Sequence, residues 1–327
     1  MSATTDSAGK TRQRLSAFLA ANDVFIILVV FAIAGAMISP EFLSSRNVSN
    51  ILTQSALLGI LSVGQFLVVV SGGFDLSVAA VMALSSVVLA HEAAIGLVPA
   101  ALLAVAVGIG CGVFNGLVVT LGRVQPLIAT LAMMGIARGL AFSISERSIL
   151  VRDPLLETLR GFDGILSLPT LIWLVVVAVA VAWLTTTRQA VHVYAVGGNE
   201  QTARLAGVAV NATKLGVYTI SGLLSGIAGA VLVLRSSSGV PLGGIGWELD
   251  SIASIVIGGT NLFGGEGSLL RAMAGVLIYQ MIANLMNLAS VDPFYQDILR
   301  AAVIILAVGI SILRQRAASR RTILGRT

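Results

Sequence analysis

An all-α, polytopic membrane fold is predicted for this chain of 327 residues. About ten transmembrane helices are expected, forming two inverted repeats that contain short, broken helices. Three observations carry the prediction. Hydrophobic residues make up 57% of the chain and charged residues 11%, whereas soluble domains carry about 25% charged residues, so this much apolar surface needs lipid. Apolar segments of bilayer length recur from one end of the chain to the other. Two stretches 173 residues apart also read almost alike, Gly73-Phe74-Asp75-Leu76-Ser77-Val78-Ala79-Ala80 and Gly246-Trp247-Glu248-Leu249-Asp250-Ser251-Ile252-Ala253. Matching short segments in two halves of a membrane chain mark a transporter built around a central path.

A span takes about 20 apolar residues. Segments at 23–38, 50–70, 75–90, 94–119, 125–144, 169–187, 214–235, 247–260, 268–289 and 296–313 meet or approach that length. The two short ones, 75–90 and 247–260, are the duplicated segments. Five spans separate their starts, an odd number, so the copies insert in opposite directions. The expected organisation is a tail at 1–22, a transmembrane domain at 23–313 with repeat halves at about 50–145 and 214–313, and a basic tail at 314–327. A second matched pair, Val124-Gln125-Pro126-Leu127-Ile128 and Tyr295-Gln296-Asp297-Ile298-Leu299, strengthens the duplication. With the N-terminus in the cytoplasm, thirteen of the 20 Lys and Arg residues fall on the inner side or its span ends. Both termini are therefore expected inside. The formal charge of +5 fits that orientation better than nucleic-acid binding. The first eighteen residues are polar and lack the apolar core of a cleavable signal.

Every acidic residue is placed in a tail, a loop or a span end. Asp75, Glu248, Asp250 and Asp297 fall at span beginnings, where a carboxylate satisfies free helix amides. For Asp75 and Glu248, capping or a contact between segments is favoured over direct substrate binding. No carboxylate is expected inside a span, and an ion-coupled carrier usually needs one there, which points to an external energy source. The path is expected to be neutral and polar, from Asn115, Gln125, Asn284 and Gln296, with Asn287, Gln65 and Ser62 as further candidates. Amides exchange hydrogen bonds with hydroxyl groups at little electrostatic cost, which suits an uncharged sugar. Hydrogen bonding between helices is an equal alternative for each residue. The small-residue pairs Gly112/Gly116, Gly135/Gly139 and Gly222/Gly226 read as helix packing. The single cysteine, Cys111, reads as a packed apolar residue. His91 and His192 are far apart and offer no metal-ligand spacing, and no catalytic constellation supports an intramembrane enzyme. Gly9-Lys10-Thr11 lacks the first glycine and preceding strand of a phosphate-binding loop.

Two connections are long. Residues 145–168 are expected outside, either as a solvated loop or as a surface for a substrate-delivering partner. Residues 188–213 are expected on the cytoplasmic side. There Gly197 and Gly198 break the chain, Asn199 is an N-cap, and Glu200 places negative charge on the first turn of a new helix. Arg204 faces Glu200 across one turn, and Gly207 ends the helix. A short amphipathic helix of this kind suits docking into a groove of another protein.

The chain resembles the permease subunit of bacterial ATP-binding-cassette importers for monosaccharides, the ribose-permease type, from about residue 40 to 312. The resemblance rests on Ser71-Gly72-Gly73-Phe74-Asp75-Leu76-Ser77, on Phe114-Asn115-Gly116 with Gly122-Arg123-Val124-Gln125-Pro126-Leu127-Ile128-Ala129-Thr130-Leu131, and on Val196-Gly197-Gly198-Asn199-Glu200 with Ala203-Arg204. It continues in Trp247-Glu248-Leu249-Asp250, in Gly258-Gly259-Thr260-Asn261-Leu262-Phe263-Gly264-Gly265 and in Tyr295-Gln296. It implies an importer of a ribose-like pentose, a hexose or a related polyol in the bacterial inner (cytoplasmic) membrane. It also implies a second copy of the permease forming one pathway, cytoplasmic ATPase subunits that bind the ATP and Mg, and a periplasmic or extracellular sugar-binding protein. No cofactor is implied in this chain. By the same resemblance Gly197, Gly198, Asn199, Glu200 and Arg204 couple the permease to the ATPase, and Gly72, Gly73, Asp75, Glu248 and Asp250 gate or brace the repeats. The alternatives left open are a stand-alone ion-coupled transporter and a permease for another small solute such as a branched-chain amino acid.

Overall fold

Helix starts follow the capping residues written into the sequence. The computed structural model describes residues 22–161 and 166–292, together with 294–296, 298, 299, 301, 302, 305 and 309. Residues 1–21, most of the last expected span and the tail at 314–327 lie outside the described residues. The first half contains α1 (Asp23–Ile38), α2 (Ser45–Val70), α3 (Val78–His91), α4 (Leu97–Thr120) and α5 (Pro126–Ile144). Strand β1 (Ile149–Leu150) and α6 (Pro154–Arg160) lead to α7 (Leu168–Thr186), α8 (Arg188–Gly198) and α9 (Glu200–Leu205). The second half contains α10 (Val210–Ser236), β2 (Ser238–Gly239), α11 (Trp247–Ile257) and α12 (Leu269–Leu288). Ser44, Asp153, Ser167, Thr187 and Asn199 each accept a backbone N–H at the head of a helix, satisfying donors that the helix itself leaves free.

A helix stands at each expected span before residue 290. Among the described residues, α2, α4, α5, α7, α10 and α12 are long and apolar enough to cross a membrane by length and composition. The duplicated segments are not. With 14 and 11 residues, α3 and α11 reach about 21 and 16 Å at about 1.5 Å per residue, short of a hydrocarbon core of about 30 Å. Ten apolar segments are therefore not ten full crossings.

Packing separates a centre from a rim. From Ser55 to Val70, α2 is buried along its whole length, and α10 is buried along most of one side. By contrast α7 buries only Pro169, Thr170 and Trp173, while Leu102, Ile136 and Val179 on α4, α5 and α7 face outward. An apolar exterior around a packed interior is what lipid permits. The halves exchange their leading helices. Helix α2 packs on α11 and α12, α10 packs on α3 and α4, and α3–α4 and α11–α12 pack as corresponding pairs.

Glycine makes the α4–α10 crossing possible. A Cβ on Gly222 would lie 2.3 Å from the Gly108 carbonyl oxygen and 2.7 Å from the Gly112 Cα. The expected packing role of Gly112/Gly116 and Gly222/Gly226 is met on this seam. A Cβ on Gly135 or Gly139 would meet nothing within 4 Å, so within one chain they are not packing glycines. Gly222→Ala should therefore destabilise the protein by about 2 kcal/mol through overpacking, and Gly135→Ala should be neutral or slightly stabilising. Thermal melts of the two variants in one detergent check this contrast; equal midpoints would overturn the assignment.

The two ends of the bundle are distinct. At one end β1 pairs antiparallel with β2, Ile149 opposite Gly239, and Arg138 Nη1 donates to the carbonyls of Pro241 at 2.6 Å and Gly243 at 3.1 Å. At the other end the C-terminus of α2, the C-terminus of α8 and the 258–267 loop meet.

Candidate functional site

Two neighbouring centres emerge, a buried carboxylate between the halves and a glycine junction at the α8 end of the bundle. Asp75 occupies the non-helical turn between α2 and α3. Gly72, with φ +80°, supplies the left-handed conformation that reverses the chain there. Asp75 is only 2% exposed. Its Oδ1 accepts from the Ser77 amide at 2.9 Å and the Ser77 hydroxyl at 2.6 Å, and its Oδ2 accepts from the Ser221 hydroxyl at 2.7 Å. Asn115 Nδ2 on α4 donates to Ser77 Oγ at 2.9 Å. Thr130 Oγ1 on α5 accepts from the Leu76 amide at 3.1 Å, and the Tyr218 hydroxyl on α10 donates to the Phe74 carbonyl at 3.2 Å. Three helices thus grip one loop. A buried carboxylate is tolerated because three donors reach it, two at Oδ1 and one at Oδ2.

This corrects the expectation that all acids lie at span ends. Asp75 does precede a helix, but that helix begins inside the bundle. Ser221 is eleven residues into α10, about 16 Å along its axis. The two copies of the duplicated motif also diverge. The first is an open turn, while α11 begins at Trp247, inside the second copy, after Gly246 with φ +84°. Glu248 and Asp250 therefore sit on a helical first turn and are half-buried. Asp250 accepts a short hydrogen bond from the Tyr279 hydroxyl on α12, and Glu248 interacts electrostatically with Arg138.

At the junction, the cytoplasmic-side loop expected at 188–213 forms two helices instead of one. Helix α8 buries Ala190, Val193 and Val196, one residue per turn, an apolar spacing legible in the sequence but not assigned to a helix. Gly197 and Gly198 close α8. A Cβ on Gly197 would fall 1.8 Å from the Val70 carbonyl oxygen and 2.7 Å from the Gly265 amide nitrogen. Gly265 N donates to that same Val70 oxygen at 2.9 Å, and the Tyr194 hydroxyl donates to the Gly267 carbonyl at 3.0 Å. Backbone therefore touches backbone across α2, α8 and the loop after α11. Three residues beyond this contact along the chain is Gly73, whose Cβ position faces the Tyr218 hydroxyl at 2.6 Å, next to Asp75.

Helix α9 has the expected caps. Asn199 Oδ1 accepts from the Thr202 amide at 2.8 Å, and Gly207, at φ +83°, ends it. Glu200 pairs with Arg204 at 3.1 Å and with Lys214 on α10 at 2.5 Å. Lys214, which sequence reasoning did not single out, holds the Glu200 carboxyl below the usual carboxylate range, with Arg204 adding to it. Because the folded value is lowered, the α9–α10 link persists above the ordinary carboxylate range and is lost only as pH falls below it. A polar cavity of about 380 Å³ lies beside this cluster, lined by Arg123, Gln125, Glu200, Arg204, Asn211 and Lys214 among others.

The four leading path candidates are not brought together. Asn115 belongs to the Asp75 network, and Gln125 is exposed at the polar cavity beside α9. Asn284 and Asn47 exchange reciprocal amide hydrogen bonds at 2.8 Å. Gln296 donates to Asn287 Oδ1 at 3.0 Å and to the Val291 carbonyl at 2.9 Å. The partners Ser221, Tyr218 and Thr130 were missed because no local pattern links residues 54 to 146 positions away. Among the described residues no group of three or more His, Cys, Asp and Glu could hold a metal ion.

Comparison with known proteins agrees with this architecture. The ribose import permease protein RbsC of Escherichia coli strain K12 is 39% identical over 316 residues, covering 93% of this chain and 98% of that protein. The corresponding protein of Bacillus subtilis strain 168 is 37% identical over 307 residues, 90% and 92% of the two chains. The L-arabinose transport system permease protein AraH of Escherichia coli strain K12 is 36% identical over 305 residues, again 90% and 92%. No solved structure matches the chain. The model of the family described as branched-chain amino acid transport system / permease component matches residues 47–308. A bundle of long apolar helices and two half-length ones over that same span is thus a multi-pass membrane permease, and the chain belongs to this family.

Proposed function

We propose that this chain is the membrane-spanning subunit of an ATP-driven importer that moves a monosaccharide or related polyol inward, with ATP hydrolysed on separate subunits. The observation that carries the reading is the junction at Gly197, where the α8–α9 loop rests by backbone contact on the chain leading into the Asp75 turn. A partner that pushed on α9 would move both the α2–α3 turn and the loop after α11, one in each half. Similarity over nine-tenths of the chain to permeases named for ribose and L-arabinose supports a sugar over a branched-chain amino acid, despite the family's description. In this reading both termini and the 188–213 loop face the cytoplasm. The chain sits in the inner membrane as one of two copies, and a binding protein delivers solute to the end that carries β1 and β2. The halves run from about 50 to 145 and from 214 to 313. Gly197, Gly198, Asn199, Glu200 and Arg204 transmit ATPase movement, and the chain itself catalyses no reaction.

A single-copy ion-coupled carrier has one observation in its favour, the buried Asp75, but three donors already occupy that carboxylate. Two experiments separate the readings. The chain, purified in mild detergent, should bring a stoichiometric ATPase subunit, and the complex in liposomes should take up D-ribose or L-arabinose only with ATP. Uptake by the chain alone under an ion gradient would overturn the proposal. Glu200→Ala and Arg204→Ala should lower ATP-driven uptake at least tenfold with little change in melting temperature, since exposed ion pairs contribute about 1 kcal/mol or less. Wild-type uptake by both variants would remove the coupling role.

A further inference from the structure

A basic cavity stands where three membrane helices reach one surface. Helix α4 ends at Thr120, α5 starts at Pro126 and α10 starts at Val210, and all three are long enough to cross a membrane. The polar cavity of about 380 Å³ beside Glu200 lies among these ends, at the depth of lipid headgroups rather than of acyl chains. Its charged lining is Arg123, Arg204, Lys214 and Glu200. Three cations face one carboxylate, which leaves the cavity positive. Both oxygens of Glu200 are already engaged, Oε1 by Arg204 and Oε2 by Lys214. Among the described residues no carboxylate pairs with Arg123.

The turn between α4 and α5 delivers this unmatched charge. Arg123 is exposed and holds φ +53°, a conformation that glycine adopts at lower cost; the arginine adds a cation there. Gln125, the N-cap residue of α5, makes no capping hydrogen bond, and Asn211 brings a second amide from α10. The positive end of the α5 dipole adds to the field at the same place. Guanidinium, ammonium and amide donors around a positive cavity are the chemistry that holds a phosphate. Its border towards the membrane is apolar, since Leu121, Leu127 and Ile128 at the ends of α4 and α5 are exposed. A ligand with an anionic head and apolar tails matches both features, whereas a free anion or an acidic side chain matches only the first.

We propose that this cavity holds the phosphate of an anionic phospholipid from the cytoplasmic leaflet, with Arg123 as its principal contact. Arg204, Lys214, Gln125 and Asn211 complete the donor set, and the acyl chains run along Leu121, Leu127 and Ile128. Basic pockets between membrane helices on the cytoplasmic side take headgroups in this way. A phosphate shared by Arg123 and Arg204 ties α9 to the α4–α5 turn, so lipid charge sets how firmly α9 is held. The binding stands apart from the importer reading, which supplies only the leaflet.

The test uses the full chain, purified in mild detergent and stripped of lipid, with dioleoylphosphatidylglycerol, dioleoylphosphatidylcholine and glycerol 3-phosphate as probes. Phosphatidylglycerol should raise the melting temperature, and the gain should fade in high salt. Phosphatidylcholine, which is neutral overall, and glycerol 3-phosphate should do little at the same concentration. Arg123→Gln should weaken the apparent affinity for phosphatidylglycerol about fivefold, the effect of one basic residue at an anionic lipid, and Arg123→Lys should keep most of it. Without lipid both variants should melt with wild type, because Arg123 has no ion-pair partner to lose. Native mass spectrometry gives a readout independent of stability: wild type should retain a phosphatidylglycerol that Arg123→Gln loses. An unchanged lipid response in Arg123→Gln, or equal responses to the two lipids, would overturn the site. Equal stabilisation by glycerol 3-phosphate would overturn the lipid as its source. Loss of the copurifying ATPase from Arg123→Gln with lipid binding intact would give the cavity to that partner and overturn the proposal.

Discussion

Gly197→Ala should disrupt the junction between α8 and the membrane bundle and lower ATP-driven uptake by more than tenfold. The added methyl would meet the Val70 carbonyl oxygen at 1.8 Å and the Gly265 amide nitrogen at 2.7 Å. Both obstacles are backbone, so no side-chain rotation relieves them, and the Gly265–Val70 hydrogen bond lies in the displaced region. A core methylene forced into a packed site costs about 1–3 kcal/mol; with backbone on two sides the cost should reach the top of that range. Its neighbour is an internal control. A Cβ on Gly198 meets nothing within 4 Å, and alanine is the better helix former by about 1 kcal/mol. Gly198→Ala should therefore melt at or above the wild-type temperature. Melting curves and uptake for the two variants check the pair. Indistinguishable behaviour would mean that α8 does not bear on α2.

Asp75→Ala should destabilise the permease by about 3 kcal/mol or more, because each buried donor left without its acceptor costs about 1–3 kcal/mol. The Ser77 amide, the Ser77 hydroxyl and the Ser221 hydroxyl would all lose their acceptor in a site sealed from water. Asn115, which donates to Ser77 Oγ, would lose the orientation that the carboxylate imposes. Asp75→Asn keeps the volume and one acceptor oxygen, so an intermediate loss of about 1–3 kcal/mol is expected. Ser221→Ala removes a single donor and should cost less than Asp75→Ala. Thermal unfolding of the three variants gives the order. An Asp75→Ala protein as stable as wild type would show that the carboxylate does not hold the halves together.

Sequence made the segments legible and left their partners hidden. Residues 78–91 and 247–257 are short and apolar in a chain most of whose other spans are long, so their special status was visible from length and duplication together. The cap at Asn199 was equally readable, because a cap acts within three residues of itself. Asp75 was expected to cap a helix or contact another segment, and it does both through Ser77 and Ser221; its depth was hidden for the opposite reason. Its place before a helix is local, but whether that helix starts at the rim or inside the bundle depends on α10, more than 130 residues away. The same limit applied to the amides. Asn284 reads as a path residue until Asn47 is found against it, and Gln65 looks no different until its surroundings prove to offer no partner among the described residues. In the 188–213 loop, Gly197 and Gly198 read as chain breakers, whereas Gly197 is there because α2 passes within backbone contact.

The exchange of α2 and α10 between the halves bears on how the chain is made. Helix α2 leaves the ribosome well before α11 and α12, and Asn47 is separated by 237 residues from the Asn284 amide it pairs with. At roughly 5–20 residues per second the partner appears tens of seconds later. Throughout that interval α2, with Ser55, Ser62 and Gln65, lacks the cover of α11 and α12, and a helix bearing buried polar groups is poorly suited to bare lipid. The nascent first half must then be sheltered by the insertion machinery or by transient pairing, and synthesis of the second half completes its fold. Truncating the chain after residue 209 should accordingly yield an unstable product rather than a half-size permease.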